Sequence, residues 1–550
     1  MDTTASTLPS NEATKGNIGR RTVAFAAVWL FIAVILTLIV SADRSRHTFA
    51  GTIHGWAMAH LAVMADSFSS HGILRLHGVP IQNAGVDGIH SDLYVHWPPL
   101  DAVLLSFIVR IFGDSEPVVF AYGSMMALAF AAAWFWLTDY VGGRVRAISY
   151  TFALLTLEIF IDRSHIWTVS LCYALILISL RIVLVEWEHR THSRWAIFAA
   201  CCVLAFAVLA SWEALLMPPG LFVAALLLRD RRLARYSLIL GAIAGLAGAA
   251  FLLTSFAYVP ELRSELVETI KYRTGFGFAA PPTLNTLADS DLYELRPRVI
   301  QIVFIFLRRT ILSIGVIAIV STAIHFRHLW LNRAGELRRK QFVVLVSLTF
   351  VPVVWFILFH NHAYIHDYEW LLMAPVAAIG TGELLNLLWI ERNTKWRKLL
   401  GIFLPVLLLY SLSAHAFQLF VPTSASADDR EMENVRYYAK EMRAATPSSV
   451  VIASPFLGIY IPYYADRHIV RGVQDDLQVQ FVVQHVAEFP NNPVYLDIPF
   501  EKAMDFPCSL AAFDQTRLKY GILLNLRAHP KIPLVGSNCT LAPHQIYSFP

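Results

Sequence analysis

Charge is what this 550-residue sequence has least of. Asp, Glu, Lys and Arg together supply 15% of it, against 56% hydrophobic side chains. A soluble globule carries about a quarter of its residues charged, so a soluble enzyme is excluded for most of the chain. The 44 Lys and Arg exceed the 40 Asp and Glu by a margin too small to suit a nucleic-acid partner. Cysteine is scarce at five residues, and no Cys/His spacing fits a zinc site. Walker loop, dinucleotide fingerprint and Gly-x-Ser-x-Gly elbow are all missing, as is an internal repeat of the kind many transporters show.

What is present is apolar sequence in long runs. Eleven stretches, near 22–41, 118–138, 147–161, 166–185, 195–211, 214–228, 237–257, 301–326, 342–359, 369–390 and 399–418, approach the length a helix needs to cross hydrocarbon. The first run exceeds a signal-peptide core, which favours a span over a cleaved leader. The fold class expected is an α-helical polytopic membrane protein of about 11 transmembrane helices.

Lys and Arg in short loops stay cytoplasmic during insertion, so their placement gives orientation. Twenty of them fall in the N-terminal tail and in every second loop, including Arg144, Arg146, Arg229, Arg231, Arg232, Arg339 and Lys340. The short loops opposite, 162–165, 212–213 and 360–368, hold Arg163 alone. Leu100–Phe112 is too short to span and would invert every later loop. Pro99 before it, Gly113 after it and Asp101 and Arg110 within it suit a helix lying in the interface. The expected order is a cytoplasmic tail (1–21), a transmembrane domain (22–418) with external loops 43–117 and 258–300, and an extracytoplasmic domain (419–550), in the inner (plasma) membrane.

The C-terminal segment reads as α/β. A helix cap at 424–429 leads into a polar helix ending near Arg443, and 450–453, 495–498 and 521–524 have strand composition. Cys172, Cys201 and Cys202 lie in apolar runs as small fillers, whereas Cys508 and Cys539 are able to pair in an oxidising compartment.

Ionisable groups at membrane depth are costly and tend to face a cavity. Those at the external ends of the runs are Asp43, Arg44 and Arg46; Asp162, Arg163 and His165; Glu213; and His366, Asp367 and Tyr368, with Arg308 and Arg309 entering the eighth run. Together they offer carboxylates for a base or a divalent cation and guanidinium groups for a phosphate. Taken singly, each suits interfacial anchoring as well.

His96-Trp97-Pro98-Pro99-Leu100, the short amphipathic helix after it and its Phe112-Gly113 end resemble the hallmark of the GT-C membrane glycosyltransferases, in the branch of protein O-mannosyltransferases and lipid A aminoarabinose transferases. The resemblance extends over about residues 20–220, including Arg163 where the family has a Ser-Arg pair, and beyond that covers layout only. It implies transfer of a sugar from a polyprenyl-phosphate carrier to a lipid, glycan or protein acceptor at the outer face of the membrane. An acid of the first external loop would serve as base, and cationic residues would receive the departing phosphate.

The chain departs from that pattern at its acids. The family's Asp-Glu pair falls on Ala57-Met58, and its second acid falls on Thr168. Asp43 and Asp162 are therefore the expected catalytic acids, with His54 and His60 as substitutes in the loop and Asp66, Asp87 and Asp92 as its other carboxylates. Arg163, His165, His54, His96, Glu213, Arg308, Arg309, His366, Asp367 and Tyr368 are expected to bind substrate. A transporter or lipid flippase, or a non-catalytic relative, is the alternative.

Overall fold

The computed structural model describes residues 11–44, 49, 55–81, 83, 94, 96–165, 168–189, 193–260, 262–274, 316–333, 335–360, 363, 367–390, 394–420, 427–454, 460–471, 473, 475–485, 492–519 and 521–527. Among the described residues each of the eleven apolar runs carries helix, because a helix satisfies its backbone polar groups within itself where no water is at hand. The helices are α1 (Asn11–Arg44), α2 (Gly55–His71), α3 (Leu100–Phe112), α4 (Glu116–Gly142), α5 (Arg144–Thr156), α6 (Glu158–Arg163), α7 (Val169–His189), α8 (Arg194–Ala210), α9 (Met217–Leu228), α10 (Arg231–Tyr258), α11 (Leu262–Thr274), α12 (Val316–Leu331), α13 (Glu336–Leu358), α14 (Ala374–Ile390) and α15 (Lys395–Phe420). Among the described residues six are long and apolar enough to cross a membrane, and three more are shorter and apolar. Exposed Phe31, Leu38, Leu253, Phe403 and Leu407 face outward from α1, α10 and α15 as lipid-facing side chains do.

The run at 147–161 is not one helix. Thr156 Oγ1 donates to Phe152 O at 2.9 Å and Ala153 O at 3.1 Å, drawing on carbonyls of the last turn, and Leu157 is extended (φ −71°, ψ 128°). The chain restarts as α6, which delivers Asp162 and Arg163 to its end.

Packing is close where small residues allow it. A Cβ on Gly123 of α4 would lie 2.3 Å from His165 O, and one on Gly382 of α14 would lie 2.7 Å from Tyr150 Cα. Ion pairs gather where α4 ends and α10 and α13 begin. Arg232 meets Glu186 at 2.9 Å, Arg339 meets Asp230 at 2.9 Å, Lys340 meets Glu188 at 2.8 Å and Arg146 meets Glu383 at 3.1 Å.

The C-terminal α/β domain begins with α16 (Ala427–Ala445) and continues through β1 (Val451–Ser454), α17 (Tyr460–Ala465), β2 (His468–Arg471), α18 (Asp476–His485), β3 (Val494–Pro499), α19 (Pro507–Ala512), β4 (Gln515–Arg517) and β5 (Gly521–Asn525). The sheet order is β2-β1-β3-β5-β4, with β1 parallel to β2 and β3, and β5 antiparallel to β3 and β4. Asp497 is buried in β3, where it accepts hydrogen bonds from Tyr438 of α16 and, at 2.7 Å, from Ser454 Oγ of β1. A lone buried carboxylate would be costly, and here it ties helix to sheet. Cys508 is disulfide-bonded, Cys172, Cys201 and Cys202 are free, and Cys539 lies outside the described residues.

Gly123→Val is expected to lower stability by roughly 1 to 3 kcal/mol, the cost of overpacking a filled contact. Thermal unfolding in detergent measures it, and an unchanged midpoint would contradict the approach of α4 to His165.

Candidate functional site

The Pro-Pro-Leu element folds as its sequence suggests. Pro99 caps α3, Gly113 ends it at φ 83°, and Phe107, Ile111 and Phe112 are exposed along one face. Asp101 behaves otherwise than expected of an interfacial charge. It is 1% exposed and accepts a hydrogen bond from the Tyr122 hydroxyl, which ties α3 to α4. Burial pushes its carboxyl up to about 6.

Just before α3, His96 and Trp97 sit at a junction of four segments. Trp212 Nε1 donates to His96 O at 2.9 Å, and Thr269 Oγ1 lies 2.8 Å from His96 Nε2. The Arg273 guanidinium lies 4.7 Å from the Trp97 ring centre, and the Trp355 ring lies 6.2 Å from that of Trp97. Thr269 and Arg273 are four apart on α11, so one face of that helix supplies both.

Arg273 also interacts electrostatically with Glu213 and with Glu369, and the two carboxylates interact with each other. Glu213 is 1% exposed, Glu369 0% and Arg273 7%. Ser211 Oγ donates to Glu213, whose Oε1 has no hydrogen-bond partner among the described residues. Three buried titratable groups within electrostatic reach of one another are of the kind associated with binding or proton transfer.

A second group forms where α1 and α6 end. Asp43 is buried, Asp162 and Arg163 are half-buried, and Ser164 and His165 are buried. A pocket there is lined by Thr37, Val40 and Ser41 of α1 and by Ser164 and His165 after α6. Ser170 Oγ donates to Ser164 O at 2.5 Å, and the His165 ring stands 6.4 Å from that of Phe120.

Of the remaining expected residues, His54, His366, Arg308 and Arg309 lie outside the described residues, as do Asp87 and Asp92. Asp367 and Tyr368 open the 3-10 turn Asp367–Met373, and their side chains are outside what is described. Ala57 and Met58, where the family's acid pair would fall, are buried apolar residues of α2, and Thr168 is 2% exposed. Sequence reasoning missed Arg273, Glu369 and Asp101. Glu369 directly follows Tyr368, so its signal was position rather than a motif, and Arg273 carried no such signal. Among the described residues no three of His, Cys, Asp and Glu gather as a metal site would require.

A helical bundle of apolar spans followed by a C-terminal α/β domain is a fold this chain shares with solved structures. The structure superposes on ArnT from Cupriavidus metallidurans bound to undecaprenyl phosphate with a TM-score of 0.59 and 14% identity, over 94% of this chain and 99% of that one. It is also similar to the archaeal oligosaccharyltransferase AglB from Archaeoglobus fulgidus, in complex with an inhibitory peptide and a dolichol-phosphate, with a TM-score of 0.53 and 11% identity over 92% and 75% of the two chains. No family model and no curated protein sequence matches the chain.

Asp66 of α2 supplies a pH test at the base of the first loop. Burial, then repulsion from Asp114 and Asp466, raises its carboxyl from 3.8 to about 6. A carboxyl raised on folding favours the folded state below the unfolded value, and that contribution is lost as pH climbs through the folded value. Asp66→Asn is therefore expected to raise the unfolding midpoint over wild type at pH 7.5 and to leave it equal near pH 4. A midpoint difference of the same size at both pH values would contradict the shift.

Proposed function

We propose that the chain is an integral-membrane glycosyltransferase that moves a sugar from a polyprenyl-phosphate carrier to a lipid, glycan or protein acceptor, at the extracytoplasmic face of the inner (plasma) membrane. The observation that carries this reading is the junction of His96 and Trp97, at the head of the Pro-Pro-Leu helix, with buried Arg273 in a chain that superposes over nearly its whole length on a carrier-bound transferase. The neighbours' bound undecaprenyl phosphate and dolichol-phosphate support a polyprenyl-phosphate partner. The inhibitory peptide bound in AglB supports an acceptor of glycan or protein type in general.

In this reading an acid accepts the proton of the acceptor hydroxyl, the freed oxygen bonds to the anomeric carbon, and the bond from that carbon to the phosphate oxygen breaks. The electron pair leaves with the phosphate. Asp43 and Asp162 are the acids proposed for the proton: they lie near the ends of α1 and α6, each two residues from a serine, Ser41 or Ser164, that lines one pocket. Arg163 and Arg273, with Arg308 and Arg309, supply positive charge for the departing phosphate. His165, His54, His96, Glu213, His366, Asp367 and Tyr368 are proposed to shape the substrate pocket around them. The C-terminal domain then shares the compartment of the acceptor, and the Arg-rich loops at the other end of the bundle are cytoplasmic.

Purified protein is to be assayed for transfer of radiolabelled sugar from a panel of polyprenyl-phosphate sugars to membrane extracts. Asp43→Asn or Asp162→Asn is expected to reduce transfer by about a hundredfold or more, the contribution of a general base, and Arg273→Ala is expected to slow it as well. Full transfer in both acid variants removes their assignment. No transfer by folded wild type with any donor removes the enzyme reading, and proteoliposomes that then flip lipid would replace it with transport.

A further inference from the structure

The C-terminal domain grips the first external segment at three places. Asn83 pairs with β2, the edge strand of the sheet: its Nδ2 donates to Ile469 O at 2.7 Å and its Oδ1 accepts from Ile469 N at 2.8 Å. A side-chain amide thereby fills the hydrogen bonds that an exposed strand edge would leave open. Tyr463 of α17 donates its hydroxyl to Asp114 O at 2.7 Å. Glu116, the first residue of α4, is the third and the most connected.

The Glu116 carboxylate joins three parts of the chain. Its Oε1 accepts from the Tyr464 hydroxyl at 2.5 Å and from the Phe49 amide at 2.7 Å, and its Oε2 lies 3.8 Å from the Arg436 guanidinium. Tyr464 and Arg436 belong to the C-terminal domain, and Phe49 lies six residues beyond Asp43. Phe49 is 0% exposed, its ring 5.2 Å from Phe120 and 4.9 Å from Tyr463. Hydrogen bonds to an ionised carboxylate are about twice as strong as neutral ones, which strengthens this knot.

The placement of the three grips matters more than their strength. Asn83 lies ahead of His96-Trp97-Pro98-Pro99-Leu100, and Asp114 and Glu116 lie just past the Gly113 that ends α3. The element is thus bracketed on both sides by contacts to the domain, and the chain beyond Asp43 is bracketed by the Phe49 contact. α3 itself is held to α4 through Asp101 and Tyr122, so α4 transmits the position of Glu116 to the element.

We propose that Glu116 is a positioning residue through which the C-terminal domain holds Asp43 and the Pro-Pro-Leu element in one arrangement. The domain acts as a clamp on the site, and transfer depends on its docking. This rests on the transferase reading given above.

Three variants of the full-length chain test it with two readouts. Hydrogen exchange of the peptide carrying Phe49 reports the clamp without any substrate, and steady-state transfer reports its effect on chemistry. In Glu116→Ala, exchange at Phe49 is expected to speed up about tenfold or more, as one charge-assisted hydrogen bond is lost. The kcat of transfer is expected to fall about tenfold, with the KM for the polyprenyl-phosphate sugar held within about twofold. Glu116→Gln keeps an Oε1 acceptor for both donors and is expected to restore slow exchange and most of the kcat. Tyr464→Phe, which removes one donor and leaves the Phe49 bond, keeps the test available should Glu116→Ala fold poorly: its kcat is expected to fall about threefold with KM unchanged, and a kcat at the wild-type level overturns the positioning role.

Unchanged exchange at Phe49 in Glu116→Ala overturns the clamp. Faster exchange with kcat at the wild-type level overturns the positioning role, and so does a Glu116→Gln variant as slow as Glu116→Ala. Absence of transfer by wild type with every donor overturns the transferase reading instead, and the exchange result then decides the clamp alone.

Discussion

Water is missing from the middle of a bilayer, and most of this structure follows from that. Backbone groups in the apolar runs have no solvent partner, so the described parts of the runs close most of their hydrogen bonds as helix, and polar side chains are pressed toward helix ends. At one set of ends the charges neutralise one another locally, as in Glu186 with Arg232 and Glu188 with Lys340. At the ends nearer the C-terminal domain the arrangement differs, because buried Glu213 and Glu369 lie within electrostatic reach of buried Arg273. A titratable group buried at low dielectric is expensive to ionise, which is why that junction stands out from the ion pairs elsewhere.

The same economy explains why the site is assembled from helix breaks. A continuous helix through 147–161 would carry Asp162 and Arg163 along the axis of α5, whereas the break at Leu157 lets α6 set its own direction. Trp212 and Glu213 likewise open a 3-10 turn between α8 and α9, entered through extended Ser211. Irregular backbone at this depth is tolerated where it is enclosed by protein, and enclosure brings its side chains to the interior.

Much of the bundle was legible in the sequence, because a length of apolar residues and a charge bias are local quantities. The helix at Leu100–Phe112 and its ends were readable from Pro99 and Gly113, as were the three central strands of the C-terminal sheet. β2 and β4 were not: β4 is Gln-Thr-Arg, exposed throughout, and no apolar alternation marks it. The candidate site was legible in part. Asp43, Asp162, Arg163, His165, His96 and Glu213 stood out as polar residues at run ends, whereas Arg273 looked like one more charge on a surface helix. Only its partner residues, brought from Trp97, Glu213 and Glu369, distinguish it.

The sequence by itself determined that this is a membrane-embedded helical protein with a C-terminal α/β domain, since both rest on composition within short windows. Tertiary structure alone decided which charges meet and what the C-terminal domain holds. Asn83 and Ile469 are 386 positions apart, and Glu116 and Tyr464 are 348 apart. Pairings at such separations depend on how the helices pack and where the domain docks, and neither leaves a period or a spacing in the chain.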